Sequence, residues 1–242
     1  MNPLLNFSHK FKPTNSWNIF CFIATCSLVA TSTNPLLAKA ENLVNAQSTQ
    51  QLLAQAPNCN NPQTQSEMNA CEGLRWQKAD RELNRVYQSV TPKLAGARRQ
   101  KLVTAQQTWL KFRDSECDFF SSYAEGGTMQ PGLVSACRAE VTQQRITDLN
   151  SYSRGTIPRS VGTNYRSSDT KLNQIYQQLK KRLSASRQKK LENAESAWIK
   201  FRDYGCEFEG ISGGNASKNT CLIRTTEQRI KDLQEHLQNS DL

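Results

Sequence analysis

Apolar residues recur every three or four positions along most of this chain, and no stretch alternates convincingly with a period of two. Leu83, Tyr87, Val90 and Leu94 form one such stripe. Leu102, Ala105, Trp109, Phe112 and Glu116 step by three and four along a second. This spacing places each set on one face of a helix. Thr64 and Glu67 stand at capping-box spacing ahead of the first stripe, and Thr91-Pro92 predicts its end or a kink. Gly126-Gly127 breaks the pattern after the second, and a third helix is expected from about Val134 to Leu149.

The same organisation then repeats. TWLKFRDSEC at 108–117 recurs as AWIKFRDYGC at 197–206. At this offset of 89, Asp80, Leu83, Asn84, Tyr87, Arg98, Lys101 and Leu102 find Asp169, Leu172, Asn173, Tyr176, Arg187, Lys190 and Leu191. After a short deletion the offset becomes 84, and Cys137, Thr142, Arg145, Ile146 and Leu149 match Cys221, Thr226, Arg229, Ile230 and Leu233. A fixed period with matching residue types marks a duplicated domain. The expected fold class is all-α, with two tandem disulfide-stapled three-helix antiparallel domains. Copy one spans 59–152 and a shorter, divergent copy two spans 166–242. The Gly-, Pro- and Ser-bearing segment 153–165 reads as a linker.

Residues 1–40 carry the marks of a secretory signal: basic Lys10 and Lys12, an apolar run from Ile19 to Ala30, and the small-x-small site Ala38-Lys39-Ala40. Ala54-Gln55-Ala56 is a second expected cleavage point, and 41–58 reads as a flexible leader. Cleavage at Ala40 removes Cys21 and Cys26 and leaves six of the eight cysteines. An even count behind a signal implies disulfides made in an oxidising compartment, periplasmic or secreted. Six cysteines allow fifteen pairings. The repeat favours one local bridge shared by both copies, Cys117 with Cys137 and Cys206 with Cys221, which leaves Cys59 for Cys71. After removal of the signal no transmembrane span is expected.

Composition bears mainly on activity. His9 and His236 are the only histidines, which argues against a His-built catalytic or metal site. No phosphate loop, nucleotide fingerprint or nucleophile elbow occurs. The expectation is no enzyme, no catalytic residue, no metal and no cofactor. The recurring polar residues Asp80, Asn84, Tyr87, Arg113, Asp114 and Arg145, with Asp169, Asn173, Tyr176, Arg202, Asp203 and Arg229, are expected to tie the helices in register through ion pairs and hydrogen bonds.

Charge adds one lead. Lys and Arg number 31 against 21 acidic residues, and loss of Lys10, Lys12 and Lys39 with the signal lowers the formal charge from +10 to +7. Lys180, Lys181, Arg182, Arg187, Lys189 and Lys190 crowd one junction and would suit an anionic envelope polymer. Specific nucleic-acid binding is not expected.

Cys59…Cys71, Asp80-x-x-Leu83-Asn84-x-x-Tyr87 and Gln106-x-x-Trp109-x-x-Phe112-Arg113-Asp114-x-x-Cys117 form the diagnostic run, followed by Gly126-Gly127, Cys137, Thr142 and Arg145. This pattern resembles the LprI-like lysozyme-inhibitor domain family. Copy two lacks the first Cys pair and has Glu195 where Gln106 stands. The resemblance implies a helical periplasmic or secreted protein-binding module whose partner is a lysozyme or another envelope protein. Common lysozymes are basic, so a +7 chain would meet them against net repulsion unless an acidic patch, for instance Glu116, Asp118 and Glu125, docks locally. The second reading is an envelope polyanion-binding or structural adaptor built on the basic cluster at 180–190.

Overall fold

The computed structural model describes residues 57–158 and 164–239. The expected signal at 1–40, the leader up to residue 56 and the middle of the linker lie outside the described residues. Five helical elements account for most of the rest: α1 Gln65–Val90, α2 Gly96–Ser121, α3 Gln130–Ser153, α4 Tyr165–Arg182 and α5 Ala185–Asn239. Short 3-10 turns occupy Thr91–Lys93 and Ser122–Ala124, and no strand occurs among the described residues.

Local chemistry sets the boundaries. The Thr64 hydroxyl accepts from the Glu67 backbone N–H, and the Glu67 carboxylate accepts from the backbone N–H groups of Thr64 and Gln63. These contacts satisfy donors that the first turn of α1 leaves free. Pro92, which has no N–H to continue the ladder, sits in the 3-10 turn that ends α1. Gly126 (φ 76°) and Gly214 (φ 67°) turn the chain between the second and third helices of each copy, in backbone that side chains resist. Copy two reaches this turn without the loop present in copy one, so α5 runs through it as two arms and supplies counterparts of both α2 and α3.

Each copy is therefore three helices. α1 and α2 pack on α3, and α4 packs on α5. The bridges pair as the repeat suggested: Cys59–Cys71, Cys117–Cys137 and Cys206–Cys221. The second and third tie neighbouring helices across each glycine turn.

The copies do not stand apart. α2 lies along α5, and one core combines Leu83, Leu102, Trp109 and Leu149 with Leu172, Leu191, Trp198 and Leu233. The described residues form one compact unit. Sharing a core suits domains of this size, each of which has limited apolar area to bury alone. Among the described residues no helix is long and apolar enough to cross a membrane.

A groove at the junction of the two copies

The contacts between copies come in pairs related by the repeat. Phe112 and its counterpart Phe201 stack on each other with centroids 5.8 Å apart and planes 7° from parallel. Arg145 lies over the Phe201 ring at 5.4 Å, and Arg229 lies over the Phe112 ring at 5.5 Å. Arg98 faces Phe208 while Arg187 faces Phe119. Tyr152 meets Phe208 edge-on, as His236 meets Phe119. Lys101 pairs with Glu207, and Lys190 pairs with Asp118 at 2.8 Å. Residue i of one copy thus touches j of the other while the counterpart of j touches the counterpart of i. This is the logic of an isologous dimer, achieved within one chain.

On one side of this junction α3 and the second arm of α5 border a groove of about 490 Å³. Its floor holds Trp109, Phe112, Trp198 and Phe201. The tryptophans and Phe112 are buried and Phe201 is half-buried, so these aromatics are chiefly core. The walls are matched pairs: Val141 and Thr225, Gln144 and Gln228, Arg145 and Arg229, Asp148 and Asp232.

Beneath the groove the two copies differ electrostatically. Arg229 is fully buried. Its Nε donates to Glu195 Oε1 at 2.7 Å, and its Nη2 meets Glu116 Oε2 at 2.8 Å. His236 Nε2 donates to the other Glu116 oxygen at 2.8 Å. Burial works to raise the Glu116 pKa, but Arg229 and His236 outweigh it and hold the carboxyl far below its ordinary value. Burial likewise opposes the Arg229 charge, and Glu116 and Glu195 overcome it. In copy one Arg145 Nε donates to the neutral Gln106 at 2.9 Å, and Gly205 stands where a counterpart of Glu116 would be. Copy one's end of the groove instead carries Arg224, bound to Glu209 at 2.5 Å and to Asp148 at 3.6 Å, with the Tyr152 hydroxyl donating to Glu209 at 2.6 Å. Burial pushes the Asp148 and Asp232 carboxyls up, against the pull of Arg224 and Arg229 respectively.

The polar residues singled out in the sequence separate into two groups. Arg113 bonds Asp114 at 3.0 Å, reaches Asp80 at 3.4 Å and lies over Trp109. Arg202 repeats this with Asp203 at 2.9 Å, Asp169 at 3.9 Å and Trp198. Asn84 bonds Asp80 and Asn173 bonds Asp169, on the exposed side of the same cluster. Tyr87 and Tyr176 pack against the core. Arg145 and Arg229 belong elsewhere, at the junction.

The proposed binding residues are largely engaged within the chain. Glu116 is buried, and Asp118 and Glu125 share Lys190 at 2.8 and 3.4 Å. Lys180 pairs with Glu192 at 2.9 Å, with Lys189 at 3.8 Å from the same carboxylate, and Arg187 Nε donates to Ser122. Lys181 and Arg182 complete that cluster at the end of α4. The groove residues Glu140, Gln144, Asp148, Gln228, Asp232 and Glu235 were not singled out in the sequence. The recurrence of Gln144 and Asp148 as Gln228 and Asp232 was the available signal. No group of three or more His, Cys, Asp or Glu able to hold a metal occurs among the described residues.

Residues 56–149 and 152–233 both match the family described as Lysozyme inhibitor LprI. The chain belongs to this family, as two tandem copies. Uncharacterized protein R02472 of Rhizobium meliloti (strain 1021) is 34% identical over 100 residues, covering 36% of this chain and 71% of that protein. A solved crystal structure of an uncharacterized protein from Burkholderia thailandensis shares the fold, with a TM-score of 0.53 and 16% identity over 72% of this chain and 88% of that one. The family is an inhibitor module, and together with three disulfides it fits an extracytoplasmic location.

Proposed function

We propose that this protein is a periplasmic or secreted protein-binding module that binds a lysozyme and occludes it, with residues 1–40 serving as its export signal. The observation that carries the reading is the match of both copies to the lysozyme-inhibitor family. The fold supports it physically. Three bridges and a shared core give a rigid body, and rigid surfaces lose little entropy on docking. The envelope-polyanion reading has less support, because Lys180, Lys189 and Lys190 already face carboxylates within the chain.

The test is a cell-wall lysis assay with the disulfide-intact protein and a panel of lysozymes at several salt concentrations. Stoichiometric inhibition of at least one is expected. Undiminished lysis by every lysozyme at tenfold molar excess of the protein overturns the proposal.

A further inference from the structure

We propose that the groove at the junction of the two copies is the docking site for a Lys- or Arg-bearing segment of the protein partner. The inference rests on the protein-binding reading above and names its contact surface.

Three observations point to this occupant. The first is charge. Glu140 on α3 and Glu235 on α5 line the groove, are exposed and make no ion pair with the described residues. Asp232, deeper than both, accepts from Gln228 at 3.0 Å. Of the guanidiniums that also line the groove, Arg229 lies buried against two carboxylates, Arg224 is held by Glu209 and Asp148, and Arg145 is buried against the neutral Gln106, so the carboxylates of the lining outnumber them five to three. A chain of formal charge +7 beyond residue 40 thus opens an anionic slot at its own centre. A basic partner is repelled by the whole and attracted by this part, which orients its approach.

The second is the floor. Phe201 is half-buried, and the edge of the slot carries Phe120 and Val141. Such a surface receives the methylene stem of Lys or Arg and places its cation near aromatic faces. The third selects a peptide over a simple amine. Arg145 is only 2% exposed and lines the groove, yet its Nη2 has no hydrogen-bond partner among the described residues. An unmet buried donor is costly, and a main-chain carbonyl entering the groove would satisfy it. At about 490 Å³ the slot admits a few side chains of an inserted segment. Glu140 comes from one copy and Asp232 and Glu235 from the other, so neither copy alone carries the site.

The experiment compares three full-length, disulfide-intact proteins: wild type, the groove variant Glu140→Gln/Asp232→Asn/Glu235→Gln, and an off-groove control, Glu72→Gln/Glu82→Gln/Glu227→Gln. Calorimetry with acetylated, amidated octa-arginine at low salt gives one reading, and lysozyme inhibition gives the other. The groove variant should bind the peptide at least tenfold more weakly while the control stays within twofold. The amide signals of Thr225 and Gln228 should move on titration of wild type. Equal weakening in both variants, or no weakening in the groove variant with unmoved amides, overturns the proposal. Full lysozyme inhibition by the groove variant overturns the site and leaves the inhibitor reading standing. Peptide binding at the groove with no lysozyme inhibited overturns the choice of target and upholds the site.

Discussion

Arg145 and Arg229 occupy equivalent places on the third helices of the two copies and lie over equivalent phenylalanines, yet their surroundings differ. Arg229 sits between Glu195 from its own copy and Glu116 from the other. Arg145 has Gln106 in place of the first and Gly205 in place of the second. One backbone arrangement thus accepts two solutions for a buried guanidinium. In copy two the charge is answered directly by carboxylates. In copy one it is answered by an amide, a ring and the Asp148 charge nearby. The stacked aromatics and apolar core hold the geometry, and the polar set tunes the field above it. The lining as a whole carries five carboxylates against three guanidiniums, the excess coming from Glu116, Glu140 and Asp148 of copy one, which makes the groove anionic.

The sharpest way to break this comparison is to remove each arginine. Arg229→Met strands Glu116 and Glu195 in the interior and should cost about 3–5 kcal/mol, the range for breaking one partner of a buried pair. Arg145→Met loses a neutral-partner hydrogen bond and a ring contact and should cost about 1–2 kcal/mol. Urea unfolding of the two variants measures the difference, and equal losses would contradict the account.

The bridges should behave alike where the arginines do not. Replacing either Cys117 and Cys137 or Cys206 and Cys221 with serines should cost about 3 kcal/mol, with the two pairs differing by only a few tenths. Their sequence separations, 20 and 15 residues, are too similar for more. A thermally silent pair would show that one copy is held together differently.

Acid should also separate the halves. Glu116 has a lowered folded pKa, so the stability it supplies is complete above the unfolded carboxylate range and is lost as pH falls through the lower folded value. Asp148 and Asp232 are raised by burial, so their protonation stabilises the fold as pH falls through their raised values. Stability should therefore hold or rise slightly on mild acidification before falling. Glu116→Gln should flatten the final fall, as followed by circular dichroism against pH. A fall unchanged by the substitution would place the acid sensitivity elsewhere.

Smaller changes sharpen the same contrast. Glu195→Gln makes copy two resemble copy one while Arg229 retains Glu116, and should cost under about 1 kcal/mol. Lys190→Ala removes partly exposed pairs with Asp118 and Glu125 and should cost about 0.2–1 kcal/mol.

Much of this architecture is legible in the sequence because it is local or repeated. The Thr64 cap, the Pro92 stop, the glycine turns and the apolar stripes act within a few residues of themselves. The duplication reduces the cysteine pairings to one simple set. The meeting of the two copies is not local, and the stripes alone do not say which helix faces find each other. Recurrence of Lys101 and Lys190 beside the acidic pair Asp118 and Glu207 held a trace of that self-complementary contact. The groove was hidden for the same reason: Glu140, Asp232 and Glu235 lie far apart in the chain and converge only when the copies dock. Arg145 and Arg229 read as members of the Asp80 and Asp169 clusters because residue type and recurrence cannot tell an ion pair within a copy from a contact between copies.

With one core drawn from both, the two copies fold as one body. Native-state hydrogen exchange of the disulfide-intact chain across a denaturant series tests this most directly. The slow amides of 102–119 and 191–208 should lose protection together, in a single opening at the global stability. Loss of protection in one of these segments while the other stays protected would show two independent domains and contradict the account.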